Sequence, residues 1–270
     1  MVVMLTITQA TPAQVSYESI MDWSEARILT TARVDLLQVG GPPIGVRTAA
    51  TDMAASHLPD HMLEVLAPIP LNSSVLVGEL LSIPVIRSQF LESAPRPPTQ
   101  SFTNGELSVL TLRYEHSIFP DFARSFMLHT KAYVHEPLLG FSSTTRYSGI
   151  VIYAKGEFPV HGEPGRFASL APALLPRIYG ESMSLLYESG MVEPSTALSF
   201  GIVDYSESTR LTEHRSRIGD VPFVTMAREV FGVNRTDLVI TDAAVARILG
   251  SDENRRLLAE GRVVIICDLQ

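Results

Sequence analysis

The chain has 270 residues, a formal net charge of −8, 46% hydrophobic residues and 19% charged residues. Such a chain can bury one large core or two smaller ones, which excludes global disorder. Its acidic balance, with no cluster of Lys or Arg, excludes phosphate-backbone binding as the main task, so no nucleic acid is expected as a partner.

Met1 to Ala13 is mildly apolar and ends in small residues. It looks like the tail of a secretory signal, although a basic leading segment is missing. Residues 1–14 are therefore read as a signal remnant, residues 15–140 as an N-terminal α+β region and residues 141–270 as a C-terminal α+β region. Tyr17 to Trp23 and Ala26 to Leu36 read as two strands joined tightly at Ser24 and Glu25. Gly40, Gly41, Pro42 and Pro43 break the pattern. A helix follows from Ile44 to Leu66, with Ala50, Ala54, Leu58, Met62 and Leu66 along one face. Pro59 removes a helix donor and clashes with the preceding turn, which predicts a kink or restart. Ser73 to Leu81 and Val85 to Glu92 read as short helices, and Ala94 to Pro98 as an exposed connector. Glu106 to His116 alternates as a strand should, Pro120 to Met127 reads as a short helix, and His135 to Thr145 as a loop.

Tyr147 to Ala154 reads as a strand. Ala171 to Tyr179 reads as an extended edge strand, because Pro172 and Pro176 cannot donate to a ladder on both sides. Ala197 to Tyr205 reads as another strand. Val221 to Val230 and Asp237 to Thr241 flank a turn at Gly232 to Thr236. Asp242 and Asp252 read as caps of helices Ala243 to Leu249 and Glu253 to Ala259. Gly261 stops the second helix, and Arg262 to Asp268 closes the chain as a strand. Its apolar run, Val263 to Cys267, predicts a central, buried position. The fold class is α+β: a mixed β-sheet with several short helices and a strand–helix–strand end. No run reaches the roughly 18 apolar residues that span a bilayer, so no membrane span is expected.

The motifs carry little chemistry. Cys267 lies in the closing apolar run and reads as a buried thiol. His57 and His61 have the i, i+4 spacing of a zinc pair, but Pro59 stands between them and no third ligand has usable spacing. Gly180 to Ser184 lacks the second glycine of a nucleophile elbow. Gly156, Gly162 and Gly165 do not form a dinucleotide loop. No catalytic, cofactor-binding or metal-binding residue is assigned, and no cofactor. The distinctive segment is Ala171 to Tyr179. As an edge strand it would offer Pro172, Leu174, Pro176, Arg177 and Tyr179 to a protein partner, through open backbone groups and hot-spot side chains.

Five blocks of the second half resemble a group of bacterial envelope proteins that includes the Lpp-type outer-membrane lipoproteins and the flagellar assembly protein T group. They are Tyr147 to Gly156, Pro172 to Tyr179, Gly201 to Tyr205, Arg217 to Asp220 and Glu260 to Ile266. Asp22 and Trp23, Pro43 to Arg47 and Ile69 to Leu80 resemble uncharacterised spirochaete envelope proteins. These resemblances imply a non-catalytic assembly or scaffold protein, periplasmic or envelope-associated, with an envelope or flagellar protein as partner. A small-molecule or glycan-binding module is the alternative reading, followed by a metal-assisted hydrolase. A cytoplasmic location is the alternative to the envelope.

Overall fold

Alternation of inward apolar and outward polar residues makes the first two strands, β1 (Val15–Asp22) and β2 (Arg27–Asp35), as the sequence predicts. They come from a computed structural model that describes residues 15–39, 45–93, 97–127, 129–136 and 144–269. The expected signal remnant and the Gly40–Pro43 break lie outside the described residues, as do parts of the 94–98 connector and the 135–145 loop. The chain is α+β and forms two units. The first holds residues up to Ile69 and Val77–Ser125; the second holds Pro70–Leu76 and Phe126 onward. The division therefore falls near residue 125 rather than 140, with one short excursion.

In the first unit, α1 (Leu36–Val39), α2 (Val46–Leu66), α3 (Val77–Leu81) and α4 (Pro84–Ser93) precede β3 (Gln100–Thr103) and β4 (Val109–Ser117). The antiparallel sheet has the order β1-β2-β4-β3. α2 lies on one face. The Tyr17 hydroxyl donates to the Ala54 carbonyl at 2.6 Å, and Ser19 shares a 2.8 Å hydrogen bond with His61 Nε2. α2 continues through Pro59 with no restart. Its buried stripe, Ala50, Ala54, Leu58, Met62 and Leu66, is fixed on the sheet on both sides of the proline, and that packing outweighs the lost hydrogen bond. The predicted helix from Ser73 begins only at Val77. The predicted helix after Pro120 is two short irregular turns, Ile118–Phe122 and Ala123–Ser125.

The second unit holds β5 (Ile150–Ala154), β6 (Glu157–Pro159), β7 (Phe167–Ser169), β8 (Ile178–Gly180), β9 (Leu185–Tyr187), α5 (Pro194–Phe200), β10 (Asp204–Ser206), α6 (Arg215–Ile218), β11 (Phe223–Met226), β12 (Glu229–Phe231), β13 (Asp237–Ile240), α7 (Asp242–Leu249), α8 (Asp252–Ala259) and β14 (Val263–Cys267). One sheet, β10-β14-β5-β11, is parallel throughout. A second, β12-β13-β8-β9, is mixed. β14 is interior and every residue in it is buried, as its apolar run predicts. Val151, Val264 and Ile266 pack under Ile218 of α6. Gly149 permits that approach, since a Cβ there would sit 2.4 Å from the Ile218 Cα.

Three expectations fail here. The stretch from Ala197 opens as helix α5, because Pro194 at its first turn starts a helix and Gly201 ends it; only Asp204–Ser206 is strand. The helix caps stand one residue earlier than expected. Thr241 and Ser251 accept from the Ala244 and Asn254 amides, and each Asp takes the first helical position, where its charge suits the helix dipole. Finally, Ala171 to Tyr179 is not an edge strand. Only Ile178–Gly180 is strand, and it is interior, paired with β13 on one side and β9 on the other. Pro172 and Pro176 precede the ladder, so their missing donors cost no sheet hydrogen bond. The available amides are used inside the unit: Ala171 to the Arg235 carbonyl, Leu174 to Pro70 and Leu175 to Leu71.

Candidate functional site

Of the residues predicted to meet a partner, Leu174 and Pro176 are buried, while Pro172, Arg177 and Tyr179 are half-buried. The edge argument for that surface is lost, but Arg177 and Tyr179 remain accessible. Arg177 stands just before β8 and Tyr179 within it, two residues apart, so they point to the same side. Arg177 Nε donates to Glu188 Oε2 at 3.1 Å, and the Tyr133 hydroxyl donates to Glu188 Oε1 at 2.5 Å. The backbone N–H of Arg177 donates to Asp237 Oδ1 at 3.0 Å. The Tyr179 ring meets the edge of Phe231 with centroids 5.7 Å apart, and Phe231 meets His161 in the same manner at 5.7 Å. His161 is in turn 2.5 Å from a Glu229 carboxylate oxygen. One face of the mixed sheet thus carries a row of aromatic rings beside an arginine fixed by a carboxylate.

The electrostatics favour holding over reacting. Asp237 is fully buried. Burial raises its carboxyl above the ordinary range, against the opposing pull of Ser73 and Arg177. Its side chain accepts from the Arg177 amide and is closed off from solvent. Glu188 has both oxygens occupied. Burial and the Asp237 charge push the Tyr179 hydroxyl up, and burial with Glu188 does the same to Tyr133, so both remain neutral donors at neutral pH. Sequence reasoning missed Tyr133, Glu188, Phe231 and Asp237, whose proximity to Arg177 arises only from sheet pairing.

Residues 149–269 match the family model described as Treponema pallidum Tp0624, second domain. The match spans somewhat less than half of the 270 residues. It holds Arg177, Tyr179, Phe231 and Glu188, and it overlaps the blocks read as Lpp-type or flagellar-assembly-like without supporting that resemblance. It agrees with the spirochaete part of that reading, which the sequence placed on the first half instead. No curated protein matches the chain.

The zinc spacing on α2 does not assemble a site. His61 turns inward, 1% exposed, while His57 faces solvent and bonds the Met53 carbonyl at 2.9 Å. Among the described residues no group of three or more His, Cys, Asp or Glu is placed to hold a metal ion. Gly180 to Ser184 is the β8–β9 turn, where Ser182 donates through its amide and hydroxyl to Asp242, both at 3.1 Å. Cys267 is buried, and burial, with nearby Asp268 and Glu207, pushes its thiol up to about 12. Among the described residues no helix is long and apolar enough to cross a membrane.

The first unit has a feature of its own. On the sheet face opposite α2 lies an open cleft of about 470 Å³, with Glu18, Arg27, Thr31, Gln100, Arg113 and Glu115 around Leu29. Arg27 bridges Asp22 at 3.3 Å and Glu115 at 3.0 Å, and Arg33 pairs with Glu18 at 3.3 Å. Arg113 donates to Gln100 at 2.9 Å and stands 5.5 Å from the centre of the Phe102 ring. The cleft needs β3, a strand the sequence reading did not contain.

Proposed function

We propose that this is a non-catalytic binding protein of a bacterial cell envelope, acting through protein–protein contacts at the Arg177–Tyr179 surface. The observation that carries the reading is the fixed array of Tyr133, Arg177, Tyr179 and Phe231. Arginine and tyrosine are the residue types that dominate interface energetics. An arginine already held by Glu188 loses little side-chain entropy on binding, which lowers the cost of association. The carboxylates nearby are buried or occupied, which favours recognition over acid–base chemistry.

The test is Arg177→Ala with Tyr179→Ala, both half-exposed positions. Partners recovered by cross-linking from a native envelope extract are compared between wild type and the double variant, alongside thermal melts. A specific partner should be lost, or weakened by about tenfold or more, with the melting midpoint nearly unchanged. Retention of every partner at wild-type strength overturns the reading.

The cleft in the first unit favours a second reading, a small polar ligand carrying a carboxylate to which Arg113 would donate. Acetate and short dicarboxylates serve as probes. A shift of chemical resonances in wild type that vanishes in Arg113→Ala supports it, and the absence of any shift in wild type excludes it.

A further inference from the structure

β11 closes one side of the parallel sheet. The amides of Phe223 and of Ala227, the residue after the strand, donate to Gly149 and Tyr153, each at 2.8 Å. In a strand the N–H and C=O of one residue point to the same side, so Val224 and Met226 direct theirs away from the sheet, together with the Pro222 carbonyl. Among the described residues no hydrogen bond reaches those groups. Val224 and Met226, 43% and 65% exposed, lie on one face of this edge, with Val221 at 63% nearby. The strand has no lysine, charge or bulge of the kind that normally blunts an open edge.

The sequence around this edge is self-complementary when read in opposite directions. With Val224 set opposite a second Val224, Met226 falls opposite Pro222 and Arg228 opposite Asp220. Val224 exchanges hydrogen bonds with its copy, and each Met226 amide donates to the Pro222 carbonyl of the other chain. Pro222 is thus placed where it accepts and need not donate. The Arg228 amide already donates to Val239, so the ladder ends at Met226 and the two charges meet through side chains alone. Asp220 and Arg228 are 62% and 60% exposed. Their contacts within the chain, to Arg215 and to Glu181, are exposed pairs of small worth and readily exchanged. An axis through Thr225 would instead set Arg228 against Pro222 and leave both charges unmatched.

We propose that the open edge of β11 is a homodimerisation site, in which two copies of this chain pair antiparallel about a twofold axis at Val224. Such an isologous contact is closed, so it ends in a dimer rather than a fibre. It continues the parallel sheet from one subunit into the next and covers the exposed apolar stripe. It does not rest on the Arg177–Tyr179 surface, which lies on the other sheet.

The test begins with sedimentation velocity over a wide range of concentration. Wild type should sediment as a dimer, and Val224→Lys with Met226→Lys as a monomer that keeps the wild-type far-UV circular dichroism spectrum. Val224→Cys should form a disulfide-linked dimer on mild oxidation, since directly opposed Cα atoms in a hydrogen-bonded pair are about 5.5 Å apart. The native Cys267 is fully buried and gives no background. Val233→Cys, 81% exposed elsewhere, should remain unlinked. Asp220→Arg should weaken association by about tenfold, and adding Arg228→Asp should restore it. A wild-type chain that is monomeric at every concentration, or that pairs with some other protein's strand instead, overturns the proposal. Cross-linking through Thr225→Cys but not Val224→Cys overturns it too.

Discussion

His61 makes the stability of the first unit depend on pH. Its ring is 1% exposed, stacks on Tyr17 at 4.8 Å and bonds Ser19, while Nδ1 meets no partner among the described residues. Burial lowers its pKa from 6.5 to about 4. The unfolded chain therefore takes up a proton near pH 6.5 that the folded chain refuses until about pH 4. Between those values the unfolded state holds more protons, so stability falls as the pH falls. The contribution is complete above pH 6.5 and gone below about pH 4, a total of about 3 kcal/mol at 1.36 kcal/mol per pH unit. Between pH 7 and pH 5 the loss is about 2 kcal/mol. Trp23, the sole tryptophan, lies in the same unit and reports its unfolding by fluorescence. Urea melts at pH 7 and pH 5 are compared for wild type and His61→Gln, which keeps a polar group toward Ser19 but does not titrate. Every other ionisable group is common to both proteins, so the difference isolates His61. Wild type should lose about 2 kcal/mol more than the variant. Parallel losses in the two proteins would refute the argument.

Ile265, fully buried in β14, should cost about 2–5 kcal/mol when changed to alanine, from the transfer of three carbons plus the cavity; far-UV circular dichroism during urea melts measures this, and an unchanged midpoint would contradict it. Thr241→Ala should cost about 1 kcal/mol by the same assay, because it removes the acceptor for the Ala244 amide. Pro59→Ala should raise the stability of the first unit by about 2 kcal/mol, since α2 continues through the proline and regains a donor; a lower midpoint would mean that the ring's own packing outweighs the bond. Cys267 should ignore a thiol reagent in the native protein and react fully in urea, as a buried thiol pushed up to about 12 requires.

The elements legible in the sequence are those whose pattern is set by one dominant burial. β1 and β2 alternate because only one face meets α2, and β14 is continuously apolar because both faces are covered. β3 had no such signature: Gln100, Ser101 and Phe102 are exposed, and the strand exists because β4 pairs with it. The prolines near Arg177 were visible, but their meaning was not local. A missing donor fits a sheet edge or a stretch before the ladder, and only the partners at Arg235, Pro70 and Leu71 decide between them. Arg177 and Tyr179 were singled out by residue type. Glu188, Asp237 and Phe231 join them through strand order, a long-range property with no neighbouring signal.

The hairpin Pro70–Leu76 belongs to the second unit although the first unit surrounds it in the chain. Asn72 and Ser73 accept from the side-chain and backbone amides of Asn234, and the Ser73 side chain lies against Gly232 so closely that a Cβ there would be 2.2 Å away. Asn234 follows Asn72 by 162 residues. At roughly 5–20 residues per second, a ribosome delivers it about 8–30 seconds after the hairpin. Throughout that interval the hairpin has no seat. A fragment cut to the matched span, 149–269, would have the reverse defect: a finished socket at Gly232 and Asn234 with nothing to fill it. The second unit is therefore a module whose last piece is made first.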